Sequence, residues 1–244
     1  MASSTRSVLY VAGATLGGAA GVVALRTRRP RRHLPGQVEL VRAPHATVIG
    51  ANGAVRSKQT ARLALPVAEL ERLWTPPNLE NLGATYWHFL TYVTLGTVRV
   101  LYSETDRRIT LLGLPWLTLL RFDPPDFEMR SDHARISWQI KDGLLVASQG
   151  RAQGGLALEV VREPDAQREG ADTEAEERAE LTIEVEVTNF YPSIASWLGD
   201  FVYRSTQAFI HMLVGNAFLR SLGSLELRQS KIGRLLTGST EPPV

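Results

Sequence analysis

Cysteine is absent from this chain of 244 residues, which excludes disulfides and thiolate metal sites and leaves the redox compartment open. The five histidines, His33, His45, His88, His133 and His211, are scattered, and no H-E-x-x-H spacing brings two of them onto one helical turn as a zinc site needs. No G-x-S-x-G, P-loop or C-x-x-C occurs, so the sequence implies no cofactor, no metal and no catalytic residue of a recognised type. Lysine is scarce, three against 24 arginines, and no acidic residue precedes Glu39. Without the six arginines of residues 1–36, 21 bases face 25 acids, a net charge of −4, so the pI near 9.1 reflects the N-terminus. A nucleic-acid partner is excluded on the same ground, since it requires a concentrated basic face.

What is present first is Ser7 to Leu25, nineteen residues without a charge, followed by RTRRPRR with five arginines. At about 1.5 Å per residue such a helix is roughly 28 Å long, close to the roughly 30 Å of bilayer hydrocarbon. The basic flank follows the apolar run, whereas a signal peptide carries it in front. A mitochondrial presequence would be amphipathic, and a dinucleotide fingerprint needs G-x-G-x-x-G, which Gly13, Gly17, Gly18 and Gly21 do not make. The segment therefore predicts a single transmembrane helix over 7–25 after a tail of residues 1–6. Arg26, Arg28, Arg29, Arg31 and Arg32 contact lipid headgroups on the cytoplasmic face, as in a single-pass protein of a cell inner membrane. Gly13, Gly17 and Gly21 recur every fourth residue, a stripe that lets another helix pack closely, in a homodimer or a larger membrane complex.

Residues 26–55 hold Pro30, Pro35 and Pro44 and read as a basic juxtamembrane connector. From Arg56 to Leu65 the residues alternate as a strand ending at Pro66. PVAELERLW then has helical spacing, with Val67, Leu70 and Trp74 on one side, opened by Pro66 and closed by Pro76 and Pro77. TYWHFLTYVT, TVRVLYSE, RRITLL, WLTLLRF, DFEMRS, ARISWQIK, LLVASQG and GLALEVVRE, rich in β-branched and aromatic residues, read as successive strands, with Asp142-Gly143 as a two-residue hairpin turn. Residues 163–180 form an acidic loop, and LTIEVEVTNF resumes as a strand with Leu181, Ile183, Val185 and Val187 on one face. Beyond Pro192 a long helical pattern runs from Ile194 to Leu227, interrupted as a membrane span by Asp200, Arg204, Gln207, His211 and Asn216, before a tail of residues 228–244.

From ARLALPVAELERLW to the closing EVEVTNFYPSIASWLGDFVYRSTQAFIHMLVGNAFLRSLGSLEL, over residues 56–227, this order resembles the START-like (SRPBCC) helix-grip superfamily. The resemblance implies an α+β fold in which an antiparallel β-sheet curves around a long C-terminal helix with an apolar cavity between them. It implies lipid-like or other apolar ligands, and it transfers no catalytic residue. Arg204, Gln207 and His211 fall at i, i+3 and i+7 on one side of the last helix, where Arg204 suits a ligand carboxylate or phosphate and His211 a proton near neutral pH, or else all three form an ordinary helix surface. His88 and Tyr92 share a face of a predicted strand, and Trp138 is one of five tryptophans that line a pocket or fill the core. The expected function is a membrane-anchored protein binding an apolar or amphipathic ligand near the bilayer. The alternatives are an accessory subunit docked through the glycine stripe and a cyclase-like enzyme using Arg204, Gln207 and His211.

Overall fold

The computed structural model describes residues 35–41, 47–103, 105–163, 177–191 and 214–230. The run Ser7–Leu25 with its glycine stripe, Arg26, Arg28, Arg29, Arg31 and Arg32, and the trio Arg204, Gln207 and His211 lie outside the described residues. Among the described residues no helix is long and apolar enough to cross a membrane.

Ten strands form one antiparallel sheet among the described residues. They are β1 (Gln37–Val41), β2 (Thr47–Ile49), β3 (Val55–Pro66), β4 (Val98–Tyr102), β5 (Arg107–Leu111), β6 (Thr118–Phe122), β7 (Asp126–Met129), β8 (His133–Asp142), β9 (Gly155–Arg162) and β10 (Arg178–Phe190). The spatial order is β1-β3-β10-β9-β8-β6-β5-β4, with β2 also on β3 and β7 on β8. Two helices, α1 (Val67–Leu73) and α2 (Pro76–Val93), lie between β3 and β4 in sequence. A third helical stretch, α3, covers 214–221 and tightens into a 3₁₀ turn at Leu222–Ser224.

The sheet follows from period-two alternation. Along β10, Leu181, Ile183, Val185 and Val187 are buried, while Thr182, Glu184 and Glu186 between them are only half-buried. Ala134, Ile136, Trp138 and Ile140 do the same on β8. The buried faces meet α2 and α3 in one core, whose most enclosed side chains include Trp87, Phe218, Leu65, Leu70 and Leu158. On the other face, cross-strand pairs join β3 to β10, Arg56 with Glu186 at 2.6 Å and Lys58 with Glu184 at 2.6 Å.

Several elements differ from the sequence reading. Pro76 and Pro77 close α1 but also open α2 at its first positions, where a missing N–H costs nothing, so TYWHFLTYVT is helix and not strand. Leu79, Leu82, Tyr86 and Val93 recur at helical spacing and are buried, and this stripe outweighs the β-propensity of the aromatic residues. Gln37–Val41 and Thr47–Ile49, inside the stretch read as connector, are strands on β3. Asp142-Gly143 does turn the chain, with Gly143 at φ +146, but no paired strand follows at once: Leu144 and Leu145 donate to Thr118 and Leu119 of β6, and β9 begins only at Gly155. The C-terminal helix stops before Leu227, because Leu225 turns left-handed at φ +56 and α2 then binds the chain. Thr85 Oγ1 accepts the N–H of Arg228 at 2.8 Å and Asn81 Oδ1 that of Ser230 at 2.8 Å. Residues 194–213 of the predicted helix lie outside the described residues.

Candidate functional site

A cavity of about 90 Å³ lies against the buried face of the sheet, at the end where β3 and β9 finish and β8 and β10 begin. Its floor is Leu63 and Leu65 of β3, Met129 of β7, Ala134 of β8, Val160 of β9, and Leu181 and Ile183 of β10. Leu70 and Leu73 of α1 and Leu79 and Leu82 of α2 cover one side, and Leu222, Leu225 and Leu227 the other. These side chains converge because each strand alternates inward from the same edge, and because α1 and α2 turn an i, i+3 leucine pair toward it.

The polar atoms at the rim are neutral. Trp74 donates its indole N–H to the carbonyl of Arg130 at 2.9 Å, tying the end of α1 to the β7–β8 turn. Asn78 donates to the Arg72 carbonyl at 3.4 Å and accepts from Asn81 at 3.3 Å; Thr75 is the N-cap of α2 and makes no side-chain capping bond. No ionisable side chain lines the cavity among the described residues. Such a lining is suited to hydrocarbon, with one amide and one hydroxyl at its rim, and among the described residues it presents no acid, base or nucleophile.

His88 and Tyr92 do come together, but one helical turn apart on α2, stacked at 6.4 Å between ring centroids. His88 sits on the stripe of α2 that holds the C-terminal segment. Burial first, and the charge of Arg228 second, lower its pKa below the ordinary imidazole value. Tyr92 is on the surface, and neither residue lines the cavity. Trp138 is buried in the core, edge-on to Trp87 with centroids 5.1 Å apart, and it too is separate from the cavity. The indole N–H groups of both tryptophans lack a hydrogen-bond partner. Among the described residues no group of His, Asp or Glu is placed to hold a metal ion.

The leucines of the lining are the residues that a search for polar chemistry passes over. Their signal was present in the inward faces of PVAELERLW and LTIEVEVTNF.

No protein-family model matches the chain, and no curated protein matches it. Among solved structures it is similar to a protein from Arthrobacter aurescens, at 15% identity over 75% of this chain and 90% of that one, with a TM-score of 0.30. It is similar to a conserved protein from Geobacillus kaustophilus at 12% identity over 72% of this chain and 99% of that one, TM-score 0.31. A truncated norcoclaurine synthase from Thalictrum flavum matches at 10% identity over 72% of this chain and 97% of that one, TM-score 0.26. The fold described above rests on its own strand pairings and not on these likenesses.

Proposed function

We propose that this protein is a helix-grip container for an apolar or amphipathic, lipid-like ligand, held beside a bilayer by its N-terminal segment. The observation that carries the reading is the cavity whose lining holds no charge among the described residues. Its volume of about 90 Å³ is below the roughly 300–1,000 Å³ of pockets that enclose a whole drug-sized ligand. It therefore takes a chain or ring portion of the ligand and leaves a polar end at the Thr75 and Asn78 rim.

Two further features support the reading. The chain enters the domain beside the cavity, since the Gly36 N–H donates to the Gly223 carbonyl at 3.0 Å and a Cβ at Gly36 would stand 2.8 Å from Leu63 and 3.1 Å from Leu225, both lining residues. An anchor at 7–25 would keep the domain, and with it the cavity, at the high effective concentration of bilayer ligand that a short tether provides. The helix-grip assignment is supported by α3, whose Phe218 and Leu219 are fully buried and whose Gly215 lies against Gln59 of β3 with no room for a side chain.

Native mass spectrometry of the full chain after gentle extraction tests the proposal. The expected result is one bound small apolar molecule per chain, lost in a Val160→Phe variant that fills the cavity. A chain that is always empty overturns it.

A further inference from the structure

We infer that the end of the sheet opposite the cavity docks on the surface of an anionic bilayer through a tip built by two Leu-Gly turns and Trp116. Leu95-Gly96 connects α2 to β4, and Leu112-Gly113 leads from β5 toward β6; the two turns are joined by the Leu112 N–H donating to the Thr97 carbonyl at 2.7 Å. In each, both residues have left-handed backbone, with φ of 52° and 78° at the first turn and 54° and 77° at the second. Asparagine or glycine suits the first position of such a turn, and a γ-branched side chain there is strained. Neither leucine is compensated by burial: Leu95 is 48% exposed and Leu112 58%. Trp116, in the same β5–β6 connection, is 71% exposed. Strain and exposure together leave the contribution of these side chains to something outside the fold.

Charge selects the occupant. Residues 92–101, 109–120 and 143–150, the segments that meet at this end, contain no acid and a single base, Arg99. Arg99 is exposed and held between the two turns, its Nε donating to the Gly96 carbonyl at 3.2 Å and its stem lying against Gly113. A tip of exposed leucine and tryptophan around one fixed cation fits the boundary of acyl chain and headgroup, where tryptophan concentrates and arginine meets phosphate. A protein partner would find a single charge here to set its register. The inference stands apart from the ligand proposal, whose cavity lies at the other end of the sheet.

The test uses the full chain in vesicles of equal parts phosphatidylcholine and phosphatidylglycerol with brominated acyl chains. Trp116 emission is expected to be quenched, with the quenched component lost in Trp116→Phe and reduced in the double variant Leu95→Asn with Leu112→Asn. That double variant keeps or raises the melting temperature, because asparagine accepts left-handed backbone, so lost quenching reports docking and not unfolding. Equal quenching in wild type and Trp116→Phe overturns the inference. So does a concentration-dependent blue shift of Trp116 emission in lipid-free detergent, which assigns the tip to a second copy of the chain.

Discussion

Gly83 of α2 lies directly over Trp138 of β8: a Cβ on Gly83 would stand 2.9 Å from the indole Cη2 and 2.9 Å from Ile136 Cδ1. The absent side chain lets the helix reach the sheet there. Gly83→Ala gains about 1 kcal/mol of helix propensity but forces a rigid indole to move, an overpacking cost of about 1–3 kcal/mol. The expected outcome is a net loss of about 1 kcal/mol, read from the denaturant midpoint at unchanged m-value.

The docking of the C-terminal segment on α2 is expected to weaken in acid. The folded pKa of His88 lies below its ordinary value of 6.5, so the stability it contributes is intact above 6.5 and is lost as pH falls from there toward the folded value, where only the unfolded chain has taken up the proton. Hydrogen exchange at the Arg228 and Ser230 amides, followed as pH is lowered, should show faster opening. Arg228→Gln removes the second cause of the depression and narrows the pH window.

Trp138→Phe removes an indole N–H that has no partner. The smaller ring leaves a void, but the desolvation penalty of about 1–3 kcal/mol for an unsatisfied donor also disappears. The two should nearly cancel, giving a change within about 1 kcal/mol by thermal denaturation, against about 3–5 kcal/mol for Trp138→Ala.

Most strands were legible because a half-buried strand repeats every two residues, and β8 does so from His133 to Lys141 and β10 from Arg178 to Thr188. Residues 85–94 were not, because Tyr86, Trp87, Thr91 and Val93 are β-formers by type while Leu79, Leu82, Tyr86 and Val93 are helical by position. Position decides when a core is available on one side only. The left-handed leucines at 95 and 112 leave a weaker trace, a Leu-Gly pair where Asn-Gly would announce the turn. The cavity was legible as apolar faces but not as a space, since its walls come from eight elements spread between Leu63 and Leu227. Of the polar trio on the last predicted helix, Arg204, Gln207 and His211, none lies within the described residues.

Arg121 pairs with Asp142 through two of its guanidinium nitrogens, Nε and Nη2, joining β6 to β8 where their register shifts. Hydrogen bonding from Arg121 is the first cause holding the Asp142 carboxyl below its ordinary range. The stability it contributes is present above that range and is lost as pH falls through the folded value. Both side chains are about one-third exposed, at 34% and 30%, so Asp142→Asn should cost only about 0.2–1 kcal/mol at neutral pH, and it should flatten the acid limb of the stability profile.

The pairing of β3 with β10 sets a kinetic condition on the whole molecule. Arg62 lies opposite Thr182, so the first long strand finds its partner only after nearly all the intervening chain has been made. Closing so long a loop before any of its contacts form is slow, and until then the leucines of β3 and α1 stay open to solvent and to other chains. Synthesis beside a bilayer would place those leucines next to an apolar phase during the interval when they are exposed, so how quickly residues 178–190 arrive decides whether the chain closes on itself or is caught by its surroundings.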